Sequence, residues 1–248
     1  MAERLAWVTG ASSGLGHAFA GKLAREGWRV VASARRAEAL QALAGTSDRI
    51  HALPLDITAG EEVAHAVAAI IETHGPIDLA VLNAGTYEAD GIGDFSAAHL
   101  TRIVGLNLLG TGNCLEPLLA HFRERRGGHV ALVASLSGYR GLPQAASYGA
   151  SKAGLINLAE SLRSEAGPLG IKVQVVNPGF VKTPLTDAND YPMPFLMPVE
   201  DAAAALYRGL MSDRFEVTFP WRFAALLKLA RLLPDGLYFP LVSRVTGQ

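Results

Sequence analysis

The 248-residue sequence holds a single cysteine, Cys114. A lone thiol forms no internal disulfide, and with no thiol neighbours it builds no cysteine metal site, so a reducing compartment fits. Cys114 reads as a small core or interface residue rather than a nucleophile. Charge is also scarce: 18% of residues are charged and the formal net charge is -1. That balance supplies no field for nucleic acid or for acidic substrates. No charge-free run approaches the roughly 18 residues of a membrane-spanning helix. The apolar stretch at the N-terminus is too short for a signal core and runs straight into a glycine motif. The expectation is a soluble, cytoplasmic protein. The seven histidines form no H-E-x-x-H or similar cluster, so no metal site is expected. Ser135 sits in no G-x-S-x-G elbow, which argues against a serine hydrolase. No linker, repeat or low-complexity tract divides the chain, and residues 1–248 read as one domain.

What is present is apolar and regularly ordered. Half of the residues are hydrophobic, enough for a sizeable core. Short apolar runs at 5–9, 28–34, 50–55, 79–82, 130–134, 173–176 and 216–219 read as strands. Helical spacing fills 14–26, 37–44, 61–73, 97–125, 147–166 and 199–211. Continuous apolar strands alternating with helices imply a mostly parallel sheet of about seven strands covered on both faces. The fold class is therefore α/β, doubly wound and Rossmann-type.

Three features carry chemistry. Thr9-Gly10-Ala11-Ser12-Ser13-Gly14-Leu15-Gly16 lies between the first strand and the first helix. Glycines there let the backbone turn sharply and approach a pyrophosphate, and the helix N-terminus offers unpaired N–H donors. The spacing is G-x-x-x-G-x-G, not the general G-x-G-x-x-G fingerprint. The second strand ends Ala34-Arg35-Arg36, without the carboxylate that holds an adenosine ribose. Arginine forks suit a 2′-phosphate, which favours NADP(H) over NAD(H). Tyr148 and Lys152 are four apart on a helix and share a face. A phenol normally holds its proton to about pH 10, and a nearby ammonium favours the phenolate. Such a tyrosine can exchange a proton with a carbonyl or alcohol oxygen near neutral pH. Ser135, at the carboxyl end of its strand, is placed to hold that oxygen.

Together with Leu55-Asp56, Asn83-Ala84-Gly85, Asn107 and Pro178-Gly179 with Thr183, these elements resemble the short-chain dehydrogenase/reductase family over nearly the whole chain, from residue 5 to about 219. Their order agrees, as does the 13-residue step from Ser135 to Tyr148. The resemblance implies an oxidoreductase that moves hydride, usually the pro-S one, between a nicotinamide and a carbonyl or secondary alcohol. It gives Gly10, Ser12, Ser13, Gly14, Leu15 and Gly16 the pyrophosphate, and Arg35 and Arg36 the ribose phosphate. Asp56 and Ile57 would face the adenine. Asn83, Ala84 and Gly85 would line the adenosine ribose and brace the central strand. Tyr148 would be the acid/base, with Lys152 holding the nicotinamide ribose and Ser135 orienting the substrate. Asn107 would support a water that relays protons to Lys152. Pro178, Gly179, Val181 and Thr183 would position the nicotinamide. A homodimer or homotetramer is the family expectation. Two other readings stay open: an NAD-dependent secondary-alcohol dehydrogenase, and a non-catalytic NADP(H)-binding sensor or scaffold.

The sequence departs from the family pattern in two places. The pair before Ala84-Gly85 is Leu82-Asn83 rather than Asn-Asn. After residue 219 the chain continues into an apolar extension, about 220–248, whose part 221–233 is helix-compatible with Arg222, Lys228 and Arg231 as its only charges. The extension has three readings: packing on its own subunit or a symmetry mate, a wall for an apolar substrate pocket, or weak contact with a membrane surface. Residues 183–198 occupy the family's lid position and are rich in Pro and Met. Long apolar side chains there suit a lipophilic ketone, aldehyde or alcohol.

Overall fold

A computed structural model of the chain describes residues 3–186 and 193–246. The lid residues 187–192 and the ends of the chain, 1–2 and 247–248, lie outside the described residues.

Seven strands form one sheet: β1 (Leu5–Thr9), β2 (Arg29–Ala34), β3 (Ile50–Pro54), β4 (Leu79–Leu82), β5 (Gly128–Val133), β6 (Ile171–Pro178) and β7 (Glu216–Phe219). Their order is β3-β2-β1-β4-β5-β6-β7, and each pairing is parallel. Parallel strands need crossover helices, and those helices bury both faces of the sheet. The side-chain alternation of β1 shows this directly. Leu5 and Trp7 join one hydrophobic cluster, and Ala6 and Val8 the other. One face is covered by α3 (Gly60–His74), α5 (Gly110–Arg125) and α6 (Ala146–Ala166). The other is covered by α1 (Gly14–Arg25), α2 (Ala37–Ala44) and α7 (Val199–Leu210).

The stretch 97–125, read as one helix from its spacing, is α4 (Ala97–Val104), a π-helical turn (Gly105–Leu109) and then α5. It is long and apolar enough to cross a membrane by length and composition alone. Packing accounts for part of that apolarity, since Cys114, Leu115, Leu118 and Phe122 are buried in the core under the sheet. Burial pushes the Cys114 thiol up to about 12, which suits a packing residue and not a nucleophile. The apolar extension forms two helices, α8 (Trp221–Arg231) and α9 (Asp235–Thr246).

The order in which strands are added reverses at β1, whose neighbours are β2 and β4. In open parallel sheets a crevice opens at the carboxyl ends of strands on either side of such a point. Gly10, Asn83 and Ser135 follow β1, β4 and β5 there.

Candidate active site

The loop after β1 is held by close backbone approach. Gly10 takes φ +69° and Gly14 φ +57°, a left-handed region in which a side chain is strained. A Cβ on Gly16 would lie 2.4 Å from the Gly10 carbonyl oxygen and 2.5 Å from Asn83 Nδ2, so α1 can start this close to the sheet only with glycine. Asn83 Nδ2 donates to the carbonyls of Thr9 (3.1 Å) and Gly10 (3.4 Å), while the N–H groups of Asn83 and Ala84 donate to Thr9 Oγ1. Asn83 and Ala84 therefore brace the loop against β4. Ser13 gives α1 no side-chain cap, and the first turn carries no acid. An N-terminus with uncapped N–H donors is the kind that suits an anion.

At the end of β2, Arg36 donates from Nε and Nη2 to Ser12 Oγ (3.3 and 3.1 Å) and from Nη2 to the Ser12 carbonyl (3.3 Å). An exposed guanidinium thus sits on the glycine loop. Asp56 Oδ1 accepts from the N–H (2.9 Å) and the hydroxyl (2.8 Å) of Thr58. Those bonds, first the backbone one, hold its carboxyl below the ordinary value, and the charge of Arg35 adds to this. One Asp56 oxygen is thus a turn cap, while Arg35 and Asp56 flank the same rim. Ile57 is buried, with its carbonyl accepting from Asn113 Nδ2 at 2.9 Å.

The sequence-predicted catalytic residues come from three separate elements that pack on one another. The short helical turn after Ser135 packs directly on α6: a Cβ on Gly138 would lie 2.9 Å from the Lys152 carbonyl carbon. A Cβ on Gly85, just past β4, would lie 3.1 Å from Asn107 Oδ1 and 3.4 Å from Lys152 Nζ. Lys152 is buried, donates to the Val133 carbonyl at 2.8 Å and stands 5.6 Å from the Tyr148 ring centroid. Burial pushes its ammonium down to about 8. Ser135 Oγ accepts from Ser137 N–H at 3.1 Å.

Asn107 lies at the centre of the π turn and is fully buried. Its Oδ1 accepts from Thr86 N–H (2.8 Å), and its Nδ2 donates to the Thr86 carbonyl and to Ser151 Oγ (3.0 Å each). Ser151 in turn donates to the Tyr148 carbonyl at 2.7 Å. The amide expected to support a water is engaged here by protein groups, and it ties the loop after β4 to α6. A π turn re-aims side chains within a helix and recurs at functional sites.

On the lid side, Thr183 lies over the glycine loop, 3.2 Å from where a Gly14 Cβ would stand. Val181 forms an isolated bridge with Met197, and Lys182 N–H donates to the Met197 carbonyl at 2.9 Å. Both ends of the lid are pinned together at this base. Pro178 pairs in register with Phe219, and Gly179 N–H donates to the Phe219 carbonyl at 2.8 Å.

Sequence reasoning missed four residues. Asp90 is buried and accepts from the backbone N–H of Ser147 at 3.0 and 3.1 Å, and also from the Ser147 hydroxyl. It therefore caps the first turn of α6 one residue before Tyr148. Tyr87 meets the Tyr148 ring edge-on at 5.1 Å and 77°, and its hydroxyl donates to the carbonyl of Gln144 at 3.0 Å. Gln144 takes φ +59°. The only sequence signal was that Tyr87 and Asp90 closely follow Asn83-Ala84-Gly85.

The family model for short chain dehydrogenases matches residues 4–192. An uncharacterised oxidoreductase of Myxococcus xanthus is 38% identical over 242 residues, 96% of each chain. Another, from Staphylococcus aureus, is 32% identical over 210 residues, 84% of this chain and 91% of the relative. A short-chain dehydrogenase crystal structure from Streptomyces avermitilis superposes with a TM-score of 0.85 at 29% identity, covering 99% of each chain. ElxO, solved with NADP bound, shares the fold with a TM-score of 0.81 at 23% identity over 90% of this chain and 100% of that one. With its parallel sheet, glycine loop and serine–tyrosine–lysine constellation, this chain belongs to the short-chain dehydrogenase family.

Proposed function

We propose that this oxidoreductase uses NADP(H) to reduce the carbonyl of a lipophilic ketone or aldehyde, with Tyr148 as the proton donor. The observation that carries the reading is the buried Lys152 ammonium beside Tyr148, on the turn of α6 against which the Ser135 segment packs.

The residues at the crevice fit a dinucleotide. The uncapped, acid-free N-terminus of α1 suits a pyrophosphate. Arg36 on Ser12 and Arg35 beside Asp56 suit a 2′-phosphate better than a ribose diol. Pro178, Gly179, Val181 and Thr183 are the residues to hold the nicotinamide, which supplies hydride when bound. The protein's own part is positional and protonic. Ser135 orients the substrate oxygen, and Tyr148 gives it a proton. Lys152 stabilises the negative charge left on the phenol oxygen, and Asn107 holds the Thr86 backbone and α6 in register. The stacked rings of Phe180, Phe223 and Phe195, with centroids 5.7 and 5.9 Å apart, line the lid side with apolar surface. This supports a lipophilic substrate.

The test is a panel of lipophilic ketones, aldehydes and secondary alcohols, each run with both cofactors. Turnover is expected with NADPH, and Arg35→Ala/Arg36→Ala is expected to lower the NADPH preference over NADH by at least about tenfold, each charge-assisted contact contributing about 1.5–3 kcal/mol. Tighter binding of NAD than NADP, unmoved by those substitutions, would sink the cofactor reading. Tight NADPH binding without turnover across the panel would sink the enzyme reading.

Asp90 gives a separate prediction, as a positioning residue. Asp90→Ala leaves the Ser147 N–H and hydroxyl buried without a partner. Stability is expected to fall by about 1–3 kcal/mol. A small drift of Tyr148 is expected to lower kcat by about tenfold or more while NADPH affinity moves less than about twofold, because the side-chain hydrogen bonds of Asp90 go to the start of α6 and not to the glycine loop. Asp90→Asn, which keeps an acceptor, should recover part of kcat. Equal losses in kcat and NADPH affinity would mean general loosening and refute the positioning role.

A further inference from the structure

The extension is fixed on one side and bare on the other. Its inner side is tied to the segment between Ser135 and Tyr148. Arg140 donates to the carbonyls of Ala230 (3.4 Å), Arg231 (3.2 Å) and Leu233 (2.7 Å) at the end of α8. It also pairs with Asp235 and stands 3.8 Å over the Tyr238 ring. Tyr238 donates its hydroxyl proton to the Gly141 carbonyl at 2.8 Å. Lys228 pairs with Glu216, which also accepts from Tyr139 and from Asn177 at the end of β6. Phe223 and Ala224 are buried.

At 3.6 residues per turn, the opposite arc of α8 carries Trp221, Ala225, Leu229 and Leu232. Trp221 is 69% exposed, Leu229 65% and Leu232 79%. On α9, Leu237 and Leu241, four apart, are exposed as well. Large apolar residues exposed along one arc of a helix in this way mark a contact surface. The inner side is already bonded, so these side chains have no place on their own subunit.

Charge decides the occupant. Residues 221–246 contain four basic side chains and one acid, Asp235, and that acid is held by Arg140. Among the described residues Arg222, at the edge of the outer arc of α8, and Arg244, on the Leu237/Leu241 side of α9, have no ion-pair partner. A two-fold dimer through this face would set the patch against its own copy, basic against basic. A bilayer surface bearing anionic headgroups meets both properties at once: the apolar arc enters the acyl boundary and the arginines stay among the phosphates. We propose that the outer face of α8 and α9 docks on such a surface. Because Phe223, on the inner side of α8, stacks on Phe195 of the lid, the docked face backs onto the lid side of the active site. The docking itself does not rest on the proposed activity.

Trp221 reports on this directly, because Trp7 and Trp28 are buried. The experiment adds vesicles of phosphatidylcholine, with or without phosphatidylglycerol, to the full-length protein. The tryptophan emission is expected to shift to the blue and the protein to sediment only when phosphatidylglycerol is present. The emission shift should vanish in Trp221→Phe. Arg222→Glu/Arg244→Glu should weaken sedimentation at least about tenfold with an unchanged far-ultraviolet spectrum, each basic residue near an anionic surface contributing about 1 kcal/mol. The docking is overturned if wild-type emission does not move and the protein stays in the supernatant at low salt. It is equally overturned if the protein is a dimer in vesicle-free buffer and Leu229→Ser/Leu232→Ser makes it a monomer, since a second copy then holds the face.

Discussion

Tyr148→Phe is expected to lower kcat/KM for carbonyl reduction by about a thousandfold or more while leaving NADPH affinity within about twofold. General acid catalysis by one positioned group contributes about 10²–10⁴ in rate. The substitution removes only the hydroxyl. The phenyl ring keeps its edge-on contact with Tyr87, and the Ser151 bond to the carbonyl of residue 148 is a backbone contact and persists. Lys152 keeps its bond to Val133. The loss therefore belongs to the proton and not to the shape of the site. It is checked by steady-state kinetics on the best ketone of the panel, with NADPH titrated by fluorescence. A fall of less than about tenfold would remove Tyr148 from the role of proton donor.

The parts of this site that could be read from the sequence are those fixed by local chemistry. β1, β4 and β7 and the helix at 37–44 fall at the residues expected, because apolar runs bounded by glycines and charged residues set them locally. Gly16 and Lys152 were readable as part of ordered motifs. The remainder depends on contacts between distant residues. The π turn at Gly105–Leu109 is followed by a tight approach: a Cβ on Gly110 would lie 2.9 Å from the Ile57 side chain. No helical spacing encodes that neighbour. In the sequence Asp90 has no local pattern around it, and its partner Ser147 lies 57 residues on. Of the three readings of the extension, packing on its own subunit is what its inner side shows. The anchor is Arg140, more than 90 residues upstream of its acceptor Leu233, and nothing in the local pattern marks it.

Lys152 gives the second large effect, and it acts on activity and stability with opposite signs. An ammonium ordinarily titrates near 10.5, and burial brings this one to about 8. Below pH 8 the folded and unfolded chains both carry the charge, so the full cost of burying it is present. Between about 8 and 10.5 the unfolded chain holds a proton that the folded chain has released. Unfolding then takes up a proton, and stability attributable to Lys152 rises with pH, by at most about 1.4 kcal/mol per unit. Lys152→Met has no such proton, so wild-type stability minus variant stability should climb between pH 8 and 10 in urea titrations. Activity should move the other way. The reaction needs the ammonium beside Tyr148, so wild-type kcat/KM is expected to fall above about pH 8, and the variant to retain at most about one hundredth of it at pH 7. If the wild-type profile is flat to pH 9.5, Lys152 does not act through its charge. If the stability difference is also flat, the ammonium is not buried as the structure has it. The same desolvation that makes Lys152 a liability to the fold at neutral pH makes its charge effective at the Tyr148 oxygen, because a low-dielectric site screens it least.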